Sequence, residues 1–115
     1  MPKSYQTITQ DINQTLAEFQ QAMPGVMKGF STMAQAATED GALDKKTKEL
    51  MALAIGVAAK CDGCIGFHTR TLVKLGVTKA EIMETLAMAV YMGGGPSLMY
   101  AAEAMHAFHE FEAAK

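Results

Sequence analysis

Apolar residues recur along the chain with the three-to-four-residue spacing of helices, and no segment alternates with period two. A first helix is predicted from about Thr7 to Ala22, where one face carries Ile8, Ile12, Leu16 and Phe19. Pro24 can open a second helix that extends to about Thr38, because proline fits the first turn of a helix. The chain therefore begins with two helices separated by a short turn.

Asp44 is a candidate N-cap for a third helix that extends to Lys60. The centre of this helix, LMALAIGVAA, is apolar on all sides, which predicts burial on most faces. A fourth helix follows and is expected to stop at Gly76, since glycine is the common residue just past a helix end.

Thr78 and Glu81 have the spacing of a capping box at the start of a fifth helix, which is predicted to reach about Met92. The glycines and proline of GGGP interrupt it, and a last helix is predicted from Pro96 to near Glu112. The fold class expected from these elements is all-α, a compact domain of six helices.

The composition fits a soluble protein with one domain over residues 1–115, because the length is near the common domain size and half of the residues are apolar. The net charge of −2 gives no basic surface for nucleic acid or membrane lipid, so we expect neither partner. The N-terminus lacks an apolar stretch of signal-peptide length, and GGGPS interrupts the longest uncharged stretch. These features predict a cytoplasmic location, where thiols are kept reduced.

Two segments, 50–59 and 86–105, are too apolar and alanine-rich to leave much solvent-facing surface. A chain this short buries a limited share of its surface alone, so we expect part of these segments to meet another copy in a homo-oligomer. The alternative is a compact monomer in which both segments are central.

The stretch KCDGCIGFHTR places Cys61, Cys64 and His68 at helical positions i, i+3 and i+7, which share one face. A helix N-terminus favours the thiolate, and His68 can act as the general base for Cys64. Once Cys64 is oxidised to a sulfenic acid, Cys61 is close enough to form a disulfide with it. The pattern therefore favours a reactive thiol pair over two ordinary buried cysteines.

Glu49 lies at the start of the apolar third helix, next to Lys45, Lys46 and Lys48. Because these lysines are expected in solvent, the local pattern favours a surface position for Glu49. If the carboxylate were held inside by a partner, it would be suited to passing protons.

Two other classes of function compete with redox chemistry. The motif could bind zinc through Cys61, Cys64 and His68, with His106 or His109 as a fourth ligand, although all three motif residues lie on one helix. The chain could instead be a helical interaction module without turnover. We expect His106 and His109 on the solvated face of the last helix, together with Glu103, Glu110 and Glu112.

The segment KTKELMALAIGVAAKCDGCIGFHT, followed by LGVTKAEIMETL, resembles the carboxymuconolactone decarboxylase superfamily, and within it the alkylhydroperoxidase D-like branch. The resemblance covers residues 41–105, with a glutamate twelve residues before the first cysteine. It implies that Cys64 attacks peroxide, that Cys61 resolves the product, and that His68 and Glu49 relay protons. It also implies an all-helical fold that assembles into trimers or hexamers.

The activity implied by this resemblance is reduction of a hydroperoxide to an alcohol and water without a bound cofactor or metal. The disulfide is then reduced by a dithiol or a lipoyl-bearing protein. Many relatives carry histidine or an aromatic residue before the second cysteine, whereas this chain has Gly63 and so lacks that contribution to a proton relay. The decarboxylase branch generally lacks the cysteine pair, which makes lactone decarboxylation the weaker alternative.

Overall fold

The computed structural model describes residues 3–115, which fold into α-helices joined by short turns, with no strand in that range. The six helices are α1 (Tyr5–Ala22), α2 (Pro24–Ala37), α3 (Lys45–Ala58), α4 (Asp62–Lys74), α5 (Lys79–Gly93) and α6 (Gly95–Ala113). The all-α prediction is confirmed, and each helix end that the sequence predicts lies within about two residues of the observed one.

The predicted start signals are present as helix caps. Asp44 accepts a hydrogen bond from the backbone N–H of Thr47 at 2.8 Å and so caps α3. Thr78 and Glu81 exchange the reciprocal hydrogen bonds of a capping box at the start of α5. Because the first amides of a helix have no partner within the helix, these side chains fix where α3 and α5 begin.

Helices α3 and α4 both end with a residue in the left-handed backbone region. At the end of α4 this residue is Gly76, with φ 78°, which glycine adopts without strain. At the end of α3 it is Lys60, with φ 58°, and the next N–H, that of Cys61, donates to the Gly56 carbonyl at 3.0 Å. A side-chain-bearing residue is strained there, so tertiary contacts must hold the turn that leads into Cys61.

Helix α4 is central to the packing, since it contacts α1, α3 and α6, while α5 packs against α3 and α6. Burial of apolar side chains between these helices is the main source of stability. The larger core residues are Tyr5, Leu53, Val57, Ile65, Leu72, Ile82, Leu86, Phe108 and Phe111. Among the helices, α2 contacts α1 alone.

The middle of α3 is less buried than its sequence predicts. Leu53 and Val57 are fully buried, but Ile55 is 66% exposed and Met51 is also exposed. The prediction of burial on most faces is therefore wrong for the single chain, because one side of α3 packs against other helices and the opposite side does not. Further apolar side chains are exposed on α2, α5 and α6: Val26, Phe30, Met33, Met88, Tyr91, Met92, Leu98 and Met99.

None of the helices within residues 3–115 combines the length and the apolar character that crossing a membrane requires.

Candidate active site

The cysteine pair lies at the start of α4. Cys61 is the N-cap residue, and its sulfur accepts a hydrogen bond from the backbone N–H of Cys64 at 3.1 Å. The two residues are joined by a disulfide, with their Cα atoms 5.2 Å apart. Both are only partly buried, so this end of α4 presents an accessible disulfide at a helix N-terminus, where negative charge on a sulfur is favoured.

Helix α3 brings Glu49 against His68, one turn beyond Cys64 on α4. Glu49 Oε2 lies 2.6 Å from His68 Nδ1, and Glu49 is only 5% exposed. A buried carboxylate needs a hydrogen-bond partner, and His68 supplies it. A carboxylate at Nδ1 favours the imidazole tautomer that carries its proton on that nitrogen, which leaves Nε2 as the nitrogen that can exchange protons.

The surface position expected for Glu49 from its lysine neighbours is wrong. Glu49, Leu53 and Gly56 occupy helical positions i, i+4 and i+7, and all three are buried on the same side of α3. Helix α3 packs closely against α4, so this side faces the helix that carries His68. Packing between the two helices therefore decides the position of Glu49.

Gly56 positions both cysteines, although sequence reasoning did not single it out. A β-carbon added at Gly56 would lie 2.9 Å from Cys64 Cβ, closer than real β-carbons approach. Its carbonyl also accepts the N–H of Cys61 at 3.0 Å. The signal in the sequence is a single glycine inside the apolar run LMALAIGVAA, where close backbone approach is the usual reason for glycine.

Replacing Gly56 with alanine is expected to destabilise the fold and to displace the cysteine pair. Overpacking costs about 1–3 kcal/mol, and the higher helix propensity of alanine offsets up to about 1 kcal/mol of that. We expect a lower urea midpoint and a changed rate of thiol alkylation. Gly25→Ala is the control, because nothing lies within 4 Å of a β-carbon there. A Gly56→Ala midpoint at or above that of the wild type would contradict the steric argument.

Helix α1 covers another side of the motif. A β-carbon at Gly63 would lie 2.9 Å from Ile12 Cδ1, and one at Gly66 would lie 2.7 Å from Thr9 Cγ2. The glycines let α1 approach α4 closely, and the end of the Ile12 side chain occupies the space beside Gly63. Position 63 thus lets α1 pack closely against α4, whereas the histidine or aromatic residue of many relatives would add a side chain there.

The acidic residues of α6 anchor the start of α1. Glu110 accepts hydrogen bonds from the Ser4 hydroxyl at 2.5 Å and from the backbone N–H of Tyr5 at 2.7 Å. Burial acts to raise the pKa of Glu110, but these hydrogen bonds hold it below its usual value. The Tyr5 hydroxyl donates to Glu103 at 2.8 Å. The solvated face predicted for Glu103 and Glu110 is therefore wrong, because α1 docks there.

The two histidines of α6 differ in their surroundings. The solvated position predicted for His106 is wrong, because the side chain is partly buried and its Nε2 donates to the carbonyl oxygen of Lys3 at 2.8 Å, whereas His109 and Glu112 are exposed as predicted. Within residues 3–115, no group of three or more His, Cys, Asp or Glu side chains is placed to share a metal ion. The zinc alternative built on the motif and these histidines therefore has no support in the geometry.

Comparison with known proteins gives related sequences and structures over most of the chain. The model of the carboxymuconolactone decarboxylase family matches residues 24–107. The crystal structure of a protein of this family from Legionella pneumophila is 66% identical, has a TM-score of 0.92, and covers 94% of this chain and 96% of its own. An uncharacterized protein from Cupriavidus necator is 37% identical over 113 residues, which are 98% of this chain and 100% of that protein.

The similarity to a named alkyl hydroperoxide reductase is more local. Alkyl hydroperoxide reductase AhpD from Coxiella burnetii is 36% identical over 52 residues, which are 45% of this chain and 29% of that protein. Together with the family match, this similarity confirms the alkylhydroperoxidase D-like resemblance seen in the sequence.

Proposed function

Since the chain belongs to the carboxymuconolactone decarboxylase family, we propose that it is a thiol peroxidase that uses Cys61 and Cys64 to reduce hydroperoxides. The observation that carries the proposal is the disulfide-forming pair at the start of α4, one turn before the Glu49–His68 pair. Together they supply the two requirements of the reaction, a thiolate nucleophile and a group that moves protons.

In the first step, the Cys64 thiolate attacks an oxygen of the hydroperoxide. An S–O bond forms and the O–O bond breaks, which oxidises the sulfur to a sulfenic acid and reduces the peroxide to an alkoxide. His68 takes the proton of the Cys64 thiol and delivers it to the alkoxide, which leaves as the alcohol. Glu49 orients the imidazole and stabilises its protonated form.

In the second step, the Cys61 thiolate attacks the sulfur of the Cys64 sulfenic acid. The S–S bond forms, the S–O bond breaks, and hydroxide leaves as water after taking a proton. The hydrogen bond from the Cys64 N–H to the Cys61 sulfur supports this step, because a donor at a helix N-terminus favours negative charge on Cys61.

A dithiol returns the pair to its reduced form by thiol–disulfide exchange, in which each thiol of the donor attacks in turn and the donor becomes the disulfide. We propose a small dithiol or a lipoyl-bearing protein as this donor. The cycle consumes one hydroperoxide and one dithiol without a bound cofactor. We assign it to the cytoplasm, where reduced thiols are maintained.

We also propose that the protein acts as a homo-oligomer, a trimer or a hexamer. Helix α2 contacts α1 alone and exposes a large apolar face, with Phe30 61% and Met33 60% exposed. Contiguous exposed apolar side chains on a small protein are typical of an association surface. A second copy of the chain would bury this face.

The peroxidase proposal predicts that one equivalent of cumene hydroperoxide removes both thiols of the reduced, metal-stripped protein. Each chain has two cysteines, so the free-thiol titre should fall from two to zero per chain. Exposed His109 provides a control, since His109→Ala should give the same titre at the same rate. Survival of both thiols would overturn the peroxidase function.

Single cysteine variants assign the two roles. Cys61→Ser should form a sulfenic acid on Cys64 at nearly the wild-type rate, detectable by trapping with dimedone, because the attacking thiol is retained. Cys64→Ser should lose the rapid reaction. Fast oxidation of Cys64→Ser with an inert Cys61→Ser would reverse the assignment of the attacking thiol.

A further inference from the structure

Asp62 carries a carboxylate next to Cys61 and two residues before Cys64. It is the first residue of α4 and follows the N-cap residue Cys61. A negative charge at this position opposes formation of a thiolate on either neighbouring cysteine, because like charges disfavour each other at short range. The Asp62 carboxylate therefore lowers the reactivity of the two cysteines unless another charge compensates it.

Lys3 supplies a compensating charge from a distant part of the chain. Its Nζ lies 3.0 Å and 3.3 Å from the two carboxylate oxygens of Asp62. The same ammonium group lies 3.9 Å from Glu103 Oε1 and 5.7 Å from the centre of the Tyr100 ring. The hydrogen bond to Asp62 raises the pKa of Lys3, so the side chain is protonated at neutral pH.

The backbone around Lys3 is held by α6. The carbonyl oxygen of Lys3 accepts a hydrogen bond from His106, and the next two residues, Ser4 and Tyr5, donate to Glu110. An isolated surface ion pair between two mobile side chains has little effect, since both must be ordered to form it. Here three hydrogen bonds already fix the chain from which Lys3 reaches Asp62.

We propose that Lys3 is a positioning residue that sets the reactivity of the cysteine pair by neutralising Asp62. With Lys3 in place, the carboxylate of Asp62 no longer opposes a thiolate at the start of α4. The inference rests on the redox-active pair of the proposed function. It concerns the thiolate and the dithiol–disulfide equilibrium, which are measurable whether or not a hydroperoxide is the substrate.

The test is a charge cycle on the reduced protein, measured by the rate of alkylation with neutral iodoacetamide at pH 7. Lys3→Gln leaves Asp62 uncompensated and should slow alkylation about 3–10-fold, the effect expected of one nearby charge in a partly exposed site. Asp62→Asn removes the opposing charge, leaves Lys3 paired with Glu103 alone, and should speed alkylation by a similar factor. The double variant restores the net charge and should return to within about twofold of the wild type.

Rate changes of opposite sign in Lys3→Gln and Asp62→Asn would distinguish an electrostatic role of the ion pair from a purely structural one. If the ion pair only anchored α1, Lys3→Gln and Asp62→Asn would both break it and would change the rate in the same direction. Lys3→Arg should retain the wild-type rate, and Lys79→Gln, at an exposed lysine on α5, controls for net charge. Same-direction effects or unchanged rates in both single variants would overturn the proposal.

The equilibrium of the disulfide with dithiothreitol gives an independent readout. Lys3→Gln should favour the disulfide and Asp62→Asn the dithiol, because stabilising the thiolate stabilises the reduced protein. If both thiols survive the hydroperoxide but the two single variants change the alkylation rate in opposite directions, the peroxidase function is rejected and the role of Lys3 is kept. If the hydroperoxide removes both thiols but the variants do not show opposite effects, only the proposed role of Lys3 is rejected.

Discussion

Replacing His68 with alanine is expected to slow oxidation of the thiol pair by hydroperoxide about 10²–10⁴-fold, the usual contribution of a positioned general base. The imidazole is one turn from Cys64, and its Nδ1 is held by Glu49 at 2.6 Å. Without it, no described group is assigned to take the thiol proton or to protonate the alkoxide. Stopped-flow measurement of sulfenic acid formation in the Cys61→Ser background isolates this step.

Glu49→Gln should slow the same oxidation step, but less than His68→Ala does. The amide can keep a hydrogen bond to the imidazole but has no charge to stabilise the imidazolium, so its rate should lie between those of the wild type and His68→Ala. His109→Ala is the matched control, since His109 is an exposed histidine outside the site. An unchanged oxidation rate in His68→Ala would remove His68 from the mechanism, and far-UV circular dichroism checks that each variant folds.

If the chain forms the proposed homo-oligomer, Phe30→Asp is expected to convert it into smaller species. Phe30, Val26 and Met33 lie on one face of α2 and are all more than half exposed in the single chain. A central interface residue of this size contributes about 2–4 kcal/mol, equivalent to about a 30- to 1,000-fold increase in the dissociation constant. Light scattering across a concentration series would measure the mass of each protein.

The control for Phe30→Asp is Gln35→Asp on the same helix. Helical spacing places Gln35 on the side of α2 opposite Phe30, so the same charge is introduced away from the proposed interface. Its mass should equal that of the wild type. A monomeric wild-type protein at micromolar concentration, or a Phe30→Asp protein of unchanged mass, would overturn the proposed assembly.

The helices follow from local features of the sequence. Asp44 and the Thr78–Glu81 box cap helices where the sequence predicts them, because capping joins residues within one turn. The common face of Cys61, Cys64 and His68 also follows from helical periodicity alone. For this reason the helix ends and the common face of the two cysteines and His68 were predictable without any knowledge of the packing.

Contacts between distant residues required the tertiary structure. The lysines beside Glu49 indicated a surface position, yet packing of α3 on α4 buries its carboxylate against His68, nineteen positions away. The ion pair of Lys3 with Asp62 joins residues fifty-nine positions apart. In both pairs, the residues next to one member in the sequence do not indicate which residue its partner is.

The sequence by itself determined the helices, their caps and the thiol motif, since hydrogen bonding and periodicity act over three or four residues. The family resemblance already implied that Glu49 and His68 act together, but only the tertiary structure showed the contacts: Glu49 behind His68, Gly56 against Cys64, and Lys3 beside Asp62. The physical reason is that these neighbours depend on how whole helices pack, and burial of apolar faces is the main driving force of that packing.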